Sequence, residues 1–317
     1  MQSVFLDFAT LSYGDVDVEP LRVTGTELVV HDTTAQEAVA DRIRGASIVI
    51  TNKLRLDGDL IERSDRLRLI CLAATGTDNV ELSAARANGV GVCNIVRYCT
   101  TSVAQHVFAV ILSLTHNIEP YMNLMRRGAW QSSPQFRLPD LPIRELDERT
   151  LGIVGLGELG HAVARVAGTF GMRVIVAQRP GGPRAEGRVR LDELLQRSDV
   201  VSLHCPLTEQ TRGLIGAREL TLMQHDALLI NTARGALVDS AALADALRTG
   251  KIAGAAVDVL PQEPPVDGSP LLASDVPNLI VTPHVAWAAR ESRQRAIGEI
   301  AANIHSYRDG GRRCRVV

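Results

Sequence analysis

Short apolar runs alternate with amphipathic segments along the first third of the chain. This alternation predicts a parallel sheet that is covered by helices on both faces. Apolar or β-branched runs predict strands at residues 3–8, 27–31, 47–51, 67–73 and 90–94, and helical spacing lies at 35–44, 58–66 and 80–88. We interpret this part as a substrate domain, because it contains no glycine fingerprint of its own.

The same alternation resumes after residue 150. Apolar runs predict strands at 151–154, 172–177, 199–203, 227–231, 253–257 and 279–282. Residues 100–127 predict one long helix, 128–148 an interdomain wrap or a subunit arm, and 288–308 a final helix that returns to the first domain. We therefore predict an α/β fold of two doubly wound parallel-sheet domains. A Rossmann cofactor domain (99–285) is inserted in a flavodoxin-like substrate domain (1–98 plus 286–317), with the active site in the cleft between them.

A glycine fingerprint joins the run 151–154 to a segment of helical spacing at 158–170. Gly155 permits a tight turn, Gly157 lets the backbone approach a pyrophosphate, and Gly160 allows the helix to pack closely on the strand. Glu158 and Leu159 begin the helix, whose N–H groups and dipole favour phosphate. An ordinary glycine turn is the alternative. The strand before the glycines and the helix after them favour a dinucleotide site.

The end of the next predicted strand should contact the adenosine ribose. An NAD-specific site places Asp or Glu there, whereas this chain has Gln178 followed by Arg179. No carboxylate repels a 2′-phosphate, and a guanidinium stands beside the site to bind one. We therefore favour NADP(H) over NAD(H). In the alternative interpretation, Arg179 points to solvent and Gln178 binds the ribose of NAD by itself.

Three strands of the predicted cofactor domain end beside charged or titratable residues: Arg234, Glu263 and His284. A hydride transfer to a 2-keto acid needs a cation for the carboxylate, an acid for the developing alkoxide, and a partner that orients this acid. Arg234 offers a bidentate fork, His284 the acid, and Glu263 an acceptor for its other ring nitrogen. Taken singly, each residue is compatible with a surface or turn position. Their occurrence at successive strand ends favours a catalytic trio.

Composition narrows the class of partner. With 317 residues, 45% hydrophobic and 22% charged, and a net charge of −2, the chain is typical of a globular protein that binds neither nucleic acid nor membrane. No signal peptide is apparent at the N-terminus, so we expect a cytoplasmic protein with a small-molecule substrate. The five cysteines lack metal-ligand spacing, and we predict no metal site.

These motifs resemble the D-isomer-specific 2-hydroxyacid dehydrogenases over nearly the whole chain. The resemblance is carried by Thr75-Gly-Thr-Asp-Asn79, the glycine fingerprint, His204-Cys-Pro-Leu-Thr208, Asn231-Thr-Ala-Arg-Gly235, Asp258 with Glu263-Pro264, and Thr282-Pro-His284. In that family the Arg, Glu and His at these positions are the catalytic trio. The resemblance further implies that the backbone of Thr75 and Gly76 contacts the substrate carboxylate. It also implies three groups of cofactor contacts: Cys205, Pro206 and Thr211 near the adenosine, Thr232 and Ala233 along the cofactor, and Asp258 and His284 at the nicotinamide end. It also implies a homodimer whose interface contains the long helix and the 128–148 arm.

Within the family the chain is most similar to glycerate dehydrogenases, also called hydroxypyruvate or glyoxylate reductases. This similarity is carried by Thr51-Asn-Lys53, residues 98–106, residues 130–136 and His284-Val-Ala-Trp287. It implies reduction of hydroxypyruvate or glyoxylate to D-glycerate or glycolate. Lys53, Tyr98 and Trp287 are candidates to line the substrate pocket, with ordinary packing or surface roles as the alternative. Gln105 stands where many relatives have Glu, and Gln178 prevents the usual NAD preference from being carried over.

Two other functions are compatible with the fold. One is a dinucleotide-sensing binding protein without turnover, as in the transcriptional corepressors that resemble this family; the intact trio argues against it. The other is formate or phosphite oxidation. The formate enzymes have an amide where Glu263 stands and a longer N-terminal region.

Overall fold

The computed structural model describes residues 1–138, 141–182 and 185–317. These residues form two compact units. The first unit consists of Met1–Cys99 and Trp287–Val317, and the second of Thr100–Ala286. Each unit contains one parallel sheet, so the alternation of apolar runs and amphipathic segments gave the fold class correctly.

The sheet of the first unit has five parallel strands. They are β1 (Gln2–Phe5), β2 (Glu27–Val30), β3 (Ile48–Thr51), β4 (Leu69–Leu72) and β5 (Gly91–Cys93). Their order, β2-β1-β3-β4-β5, is that of a flavodoxin-like doubly wound sheet. The central strands β3 and β4 bury every residue, as expected when helices cover both faces of a parallel sheet.

The helices of the first unit are α1 (Glu19–Arg22), α2 (Val39–Arg42), α3 (Gly58–Glu62), α4 (Leu82–Ala87) and α11 (Arg290–Arg308). The helix predicted over 35–44 is shorter than expected: a 3₁₀ turn at Gln36–Ala38 leads into α2, and Gly45 follows with a φ of +83°. A glycine in this left-handed conformation ends a helix readily.

Helix α11 is tied to the segment after β1 by a buried arginine. Arg293 is 4% exposed, and its two terminal nitrogens donate to the carboxylate oxygens of Asp15 at 2.6 and 2.7 Å. Its guanidinium also lies 4.6 Å from the centroid of the Tyr13 ring. Residues from opposite ends of the chain are thereby joined in one unit.

The sheet of the second unit has seven parallel strands. They are β6 (Thr150–Val154), β7 (Arg173–Ala177), β8 (Arg188–Val189), β9 (Val200–Leu203), β10 (Leu228–Asn231), β11 (Gly254–Val257) and β12 (Leu279–Val281). The order β12-β11-β10-β9-β6-β7-β8 places the reversal of winding between β6 and β9, where doubly wound folds bind their ligands. The two-residue edge strand β8 was not predicted, because its Arg-Val sequence has no apolar run.

The helices of the second unit are α5 (Thr100–Thr115), α6 (Ile118–Arg126), α7 (Glu158–Thr169), α8 (Leu191–Arg197), α9 (Ala217–Leu222) and α10 (Ser240–Arg248). The prediction of one helix over 100–127 is wrong, because Asn117 adopts a left-handed φ of 52° between α5 and α6. Asparagine tolerates this conformation better than most residues. Across the described ranges, no helix combines the length and the apolar character needed to cross a membrane.

Candidate active site

The glycine loop between β6 and α7 has little room for side chains. Gly155 has a φ of +99°, and a Cβ built on it would lie 2.5 Å from the backbone nitrogen of Cys205. A Cβ on Gly160 would lie 2.3 Å from the carbonyl oxygen of Gly155, so helix and loop pack without a side chain between them. A Cβ on Gly157 would meet nothing within 4 Å, which leaves open space beside the first turn of α7. This geometry fits a pyrophosphate at the helix N-terminus.

Two buried polar side-chain atoms at the same edge of the sheet have no hydrogen-bond partner within the described part of the chain. They are Nδ1 of His204 and Oγ1 of Thr232, which directly follow the neighbouring strands β9 and β10. Leaving such an atom unpaired costs about 1–3 kcal/mol, so a polar ligand or water is expected to meet them. Burial lowers the pKa of His204 to about 4, so its ring is neutral at pH 7. A dinucleotide fits this donor and acceptor set. The sequence pattern did not mark His204 as a site residue, although His204 begins the His204-Cys-Pro motif.

The predicted ribose contacts follow β7. The side-chain oxygen of Gln178 accepts from the backbone nitrogen of Ala185 at 3.1 Å, and its own backbone nitrogen donates to Val189 at 2.7 Å. Arg179 is exposed. The loop between them and β8 includes residues 183 and 184, which lie outside the described residues. Gln178 therefore shapes this loop as well as standing at the predicted ribose position.

The segment after β9 holds three predicted adenosine contacts. Cys205 is buried, and this burial raises the pKa of its thiol to about 11. The Thr211 hydroxyl donates to the carbonyl of Pro206 at 2.7 Å and accepts from the backbone nitrogen of Thr208 at 2.7 Å. The Cys205 thiol consequently stays protonated, and Thr211 fixes the course of the loop.

His284 and Glu263 form a hydrogen-bonded pair. Nδ1 of His284 lies 2.6 Å from Oε2 of Glu263, and the side chains are 26% and 35% exposed. The other oxygen of Glu263 accepts from the backbone nitrogen of Leu260 at 2.9 Å. The carboxylate is thus held in place, and it orients the imidazole so that Nε2 is the nitrogen left for a ligand.

The backbone of His284 has a φ of 55°, an unusual value for a residue other than glycine. Its nitrogen donates to the carbonyl of Asp258 at 2.7 Å. The Asp258 carboxylate, which is 2% exposed, accepts from the backbone nitrogens of Val285 and Ala286, each at 2.9 Å. One buried aspartate therefore fixes three consecutive residues of this turn.

Arg234 lies on a loop shaped by Asn231, the last residue of β10. The Asn231 side chain donates to the carbonyl of Arg234 at 2.9 Å and accepts from the backbone nitrogen of Ala233 at 3.1 Å. A Cβ on Gly235 would lie 2.0 Å from the carbonyl carbon of Leu260. The Arg234 loop and the Glu263 loop are therefore in direct backbone contact, which only glycine permits.

The predicted substrate contacts other than Arg234 and His284 belong to the first unit. The backbone nitrogen of Lys53 donates to the buried Asp7 at 2.7 Å, and the Thr75 hydroxyl donates to Ile95 at 2.8 Å. Gly76 follows Thr75 in the segment after β4. Tyr98 and Trp287 form an edge-to-face aromatic pair with ring centroids 6.2 Å apart. The roles of these residues in substrate binding stay predictions.

Comparisons with known proteins agree on one family. The family model described as "D-isomer specific 2-hydroxyacid dehydrogenase, NAD binding domain" matches residues 108–286. A glycerate dehydrogenase of Methylorubrum extorquens is 42% identical over 96% of this chain and 95% of its own. A hydroxypyruvate reductase of Blautia hydrogenotrophica is 36% identical over 98% of both chains. The solved structure of an acyclic imino acid reductase in complex with NADPH and D-Arg has a TM-score of 0.86 and 27% identity, covering 100% of both chains. The chain belongs to the D-isomer specific 2-hydroxyacid dehydrogenase family, whose members transfer hydride between a nicotinamide cofactor and 2-hydroxy or 2-keto acids.

Proposed function

We propose that the chain reduces hydroxypyruvate or glyoxylate to D-glycerate or glycolate. The 2.6 Å pair of His284 and Glu263 is the observation that carries the proposal, because it supplies an oriented proton donor. The full-length similarity to a glycerate dehydrogenase and a hydroxypyruvate reductase supports the choice of substrate.

In the proposed mechanism, Arg234 binds the substrate carboxylate through two parallel hydrogen bonds and fixes the orientation of the keto group. A reduced nicotinamide cofactor, when bound, would supply the hydride that the carbonyl carbon accepts. His284 donates the proton from Nε2 to the oxygen as its negative charge develops. Glu263 accepts from Nδ1, which keeps the ring oriented for proton transfer from Nε2. The residues that would hold the cofactor are those of the glycine loop, the ends of β9 and β10, and Asp258.

For the cofactor, our proposal is a preference for NADP(H) over NAD(H). Gln178 removes the negative charge that would repel a 2′-phosphate, and Arg179 stands next to it at the surface. The backbone nitrogen of Ala185 donates to the side-chain oxygen of Gln178, so a neutral amide, and not a carboxylate, holds the segment after β7. The NADPH complex of the imino acid reductase is compatible with this preference within the same overall fold.

The proposal includes a homodimer that forms through α6 and the segment after it. Helix α6 buries none of its residues, and Ile118, Met122 and Met125 occupy one face at 47%, 47% and 40% exposure. Trp130 and Phe136 follow at 49% and 93% exposure. Clustered exposed apolar residues are typical of protein–protein contacts. Light scattering should give twice the mass of the chain, and Met122→Glu should reduce it to one chain, whereas Val23→Glu on the first unit should not.

A steady-state panel tests the reaction. Glyoxylate, hydroxypyruvate, pyruvate and phenylpyruvate are each assayed with NADH and with NADPH, and His284→Ala is the inactive control. We expect the highest kcat/KM for hydroxypyruvate or glyoxylate. Oxidation of formate or phosphite without keto-acid reduction would contradict the proposal. Tight cofactor binding without any turnover would favour a dinucleotide sensor instead.

A further inference from the structure

A row of polar residues crosses the carboxyl ends of four strands in the second unit. The last paired residues of β9, β10, β11 and β12 are Leu203, Asn231, Val257 and Val281. The next residue of each strand is polar: His204, Thr232, Asp258 and Thr282. Equivalent register positions on neighbouring strands point to the same face of a sheet. The Thr282 hydroxyl accordingly reaches Asp258 and donates to its Oδ1 at 2.5 Å.

Helix α5 contributes one side chain to this row. Nε2 of His106 lies 3.2 Å from the hydroxyl oxygen of Thr282 and 3.9 Å from Oδ1 of Asp258, and the His106 side chain is 19% exposed. The mechanism proposed above gives His106 no part. Its position beside a buried carboxylate nevertheless requires a physical explanation.

The directions of the hydrogen bonds in this group follow from its chemistry. An ionised carboxylate can only accept, so the Thr282 proton is directed to Asp258. The Thr282 oxygen is then an acceptor, and the proton between it and His106 must come from Nε2 of the histidine. His106, Thr282 and Asp258 therefore form a directed chain of donors that ends on the carboxylate.

That carboxylate fixes the turn that contains the proton donor. It accepts from the backbone nitrogens of Val285 and Ala286, while the carbonyl of the same residue accepts from the nitrogen of His284. His284 holds a left-handed backbone conformation, which persists only where its surroundings enforce it. A change in the position of Asp258 is thus transmitted directly to His284.

We propose that His106 is a positioning residue for proton transfer, acting through Thr282 and Asp258 on the backbone of His284. The inference rests on the proposed function, since it requires His284 to be the proton donor. A purely structural role for His106 would reduce stability without selectively reducing the catalytic rate of the folded enzyme.

The test compares matched variants. His106→Leu removes the donor and introduces an apolar side chain of moderate size, whereas His106→Gln keeps an N–H group at a similar distance from the backbone. Thr282→Val interrupts the series of hydrogen bonds at its middle member with little change in side-chain shape, and Thr282→Ser preserves the hydroxyl. His116→Leu, just beyond α5, controls for the loss of a histidine outside this network.

We expect kcat for keto-acid reduction to fall about tenfold in His106→Leu and in Thr282→Val, which corresponds to ~1.4 kcal/mol in the barrier. KM should change less than about threefold, because Arg234 still binds the carboxylate. His106→Gln and Thr282→Ser should recover most of kcat. The double variant should lose no more than the worse single variant, because both act through one chain. In a His284→Ala background, His106→Leu should have no further effect on turnover.

Thermal unfolding of every variant is measured beside the kinetics, so that turnover is compared only among folded proteins. A folded Thr282→Val that retains more than half of the wild-type kcat would overturn the inference, as would fully additive losses in the double variant. Full activity of His284→Ala would instead refute the proton donor, and with it the proposed function, before His106 is considered.

Discussion

Nδ1 of His284 and Oε2 of Glu263 lie 2.6 Å apart, although the two residues follow different strands and are separated by 21 positions in the chain. A carboxylate at this distance accepts a hydrogen bond from Nδ1 and fixes the orientation of the imidazole ring. Glu263→Gln keeps the shape, but it replaces the carboxylate with an amide that can also donate, so the ring is held less firmly for proton transfer. We expect kcat for keto-acid reduction to fall while the Kd of the reduced cofactor stays unchanged. An unchanged kcat would show that Glu263 is not coupled to the proposed acid.

His284→Ala should abolish proton donation and leave cofactor binding nearly unchanged. General acid catalysis contributes ~10²–10⁴-fold, so turnover in keto-acid reduction should fall by that range. Fluorescence titration with the reduced cofactor provides the control, because its Kd should stay within about threefold of the wild type. Turnover above about a tenth of the wild-type value would assign the acid elsewhere.

Arg234→Lys should impair keto-acid reduction severely, although the positive charge is kept. Lysine is a point donor and cannot reproduce a two-bond carboxylate clamp. We expect KM for the keto acid to rise and kcat to fall, because a misoriented carbonyl group is no longer aligned for hydride transfer. Arg218→Lys, at a surface pair with Asp192, is the matched control. Unchanged constants in Arg234→Lys would exclude this residue as the substrate anchor.

The cofactor preference depends on the residues after β7. A charge-assisted contact from Arg179 to a 2′-phosphate is worth ~1.5–3 kcal/mol, which corresponds to roughly ten- to a hundredfold in favour of NADPH. Arg179→Ala should therefore weaken NADPH alone, and Gln178→Glu should shift the preference toward NADH. A higher kcat/KM with NADH in the unmutated protein would refute the preference and leave Gln178 as a neutral ribose ligand.

A pH-dependent contribution to stability is expected from Asp15 and Arg293 in the first unit. The hydrogen bond from Arg293 lowers the pKa of the Asp15 carboxyl below its ordinary value. A carboxyl with a lowered folded-state pKa stabilises the fold above its unfolded pKa of about 4 and loses this effect as the pH falls further. Asp15→Asn should consequently lower the urea midpoint at pH 7, and the difference from the wild type should shrink below about pH 4. An equal difference at both pH values would contradict this linkage.

The strands were predictable because buried parallel strands need continuous apolar runs, as in β3, β4 and β9 to β11. The strand-end positions of Glu263 and His284 followed from the same logic, since the carboxyl ends of parallel strands lie at one edge of a sheet.

The left-handed turn at Asn117 was not predictable, because residues on both sides of it have good helical spacing. Nor was the bond between Ala185 and Gln178, which depends on the course of an irregular loop. Nδ1 of His204 and Oγ1 of Thr232 lack a partner among the described residues, and their positions depend on the register between strands, which sequence spacing alone does not give.

The backbone contact between Gly235 and Leu260 has a mechanical consequence. The loop that presents Arg234 and the loop that presents Glu263 touch through main-chain atoms, with no flexible side chain to absorb a displacement. A close-packed contact of this kind transmits a shift rather than damping it. Pulling Arg234 toward a carboxylate would displace residue 260 as well, and Leu260 donates its backbone nitrogen to Glu263. We therefore expect the proposed substrate anchor, Arg234, and the proposed partner of the proton donor, Glu263, to respond together when a ligand binds.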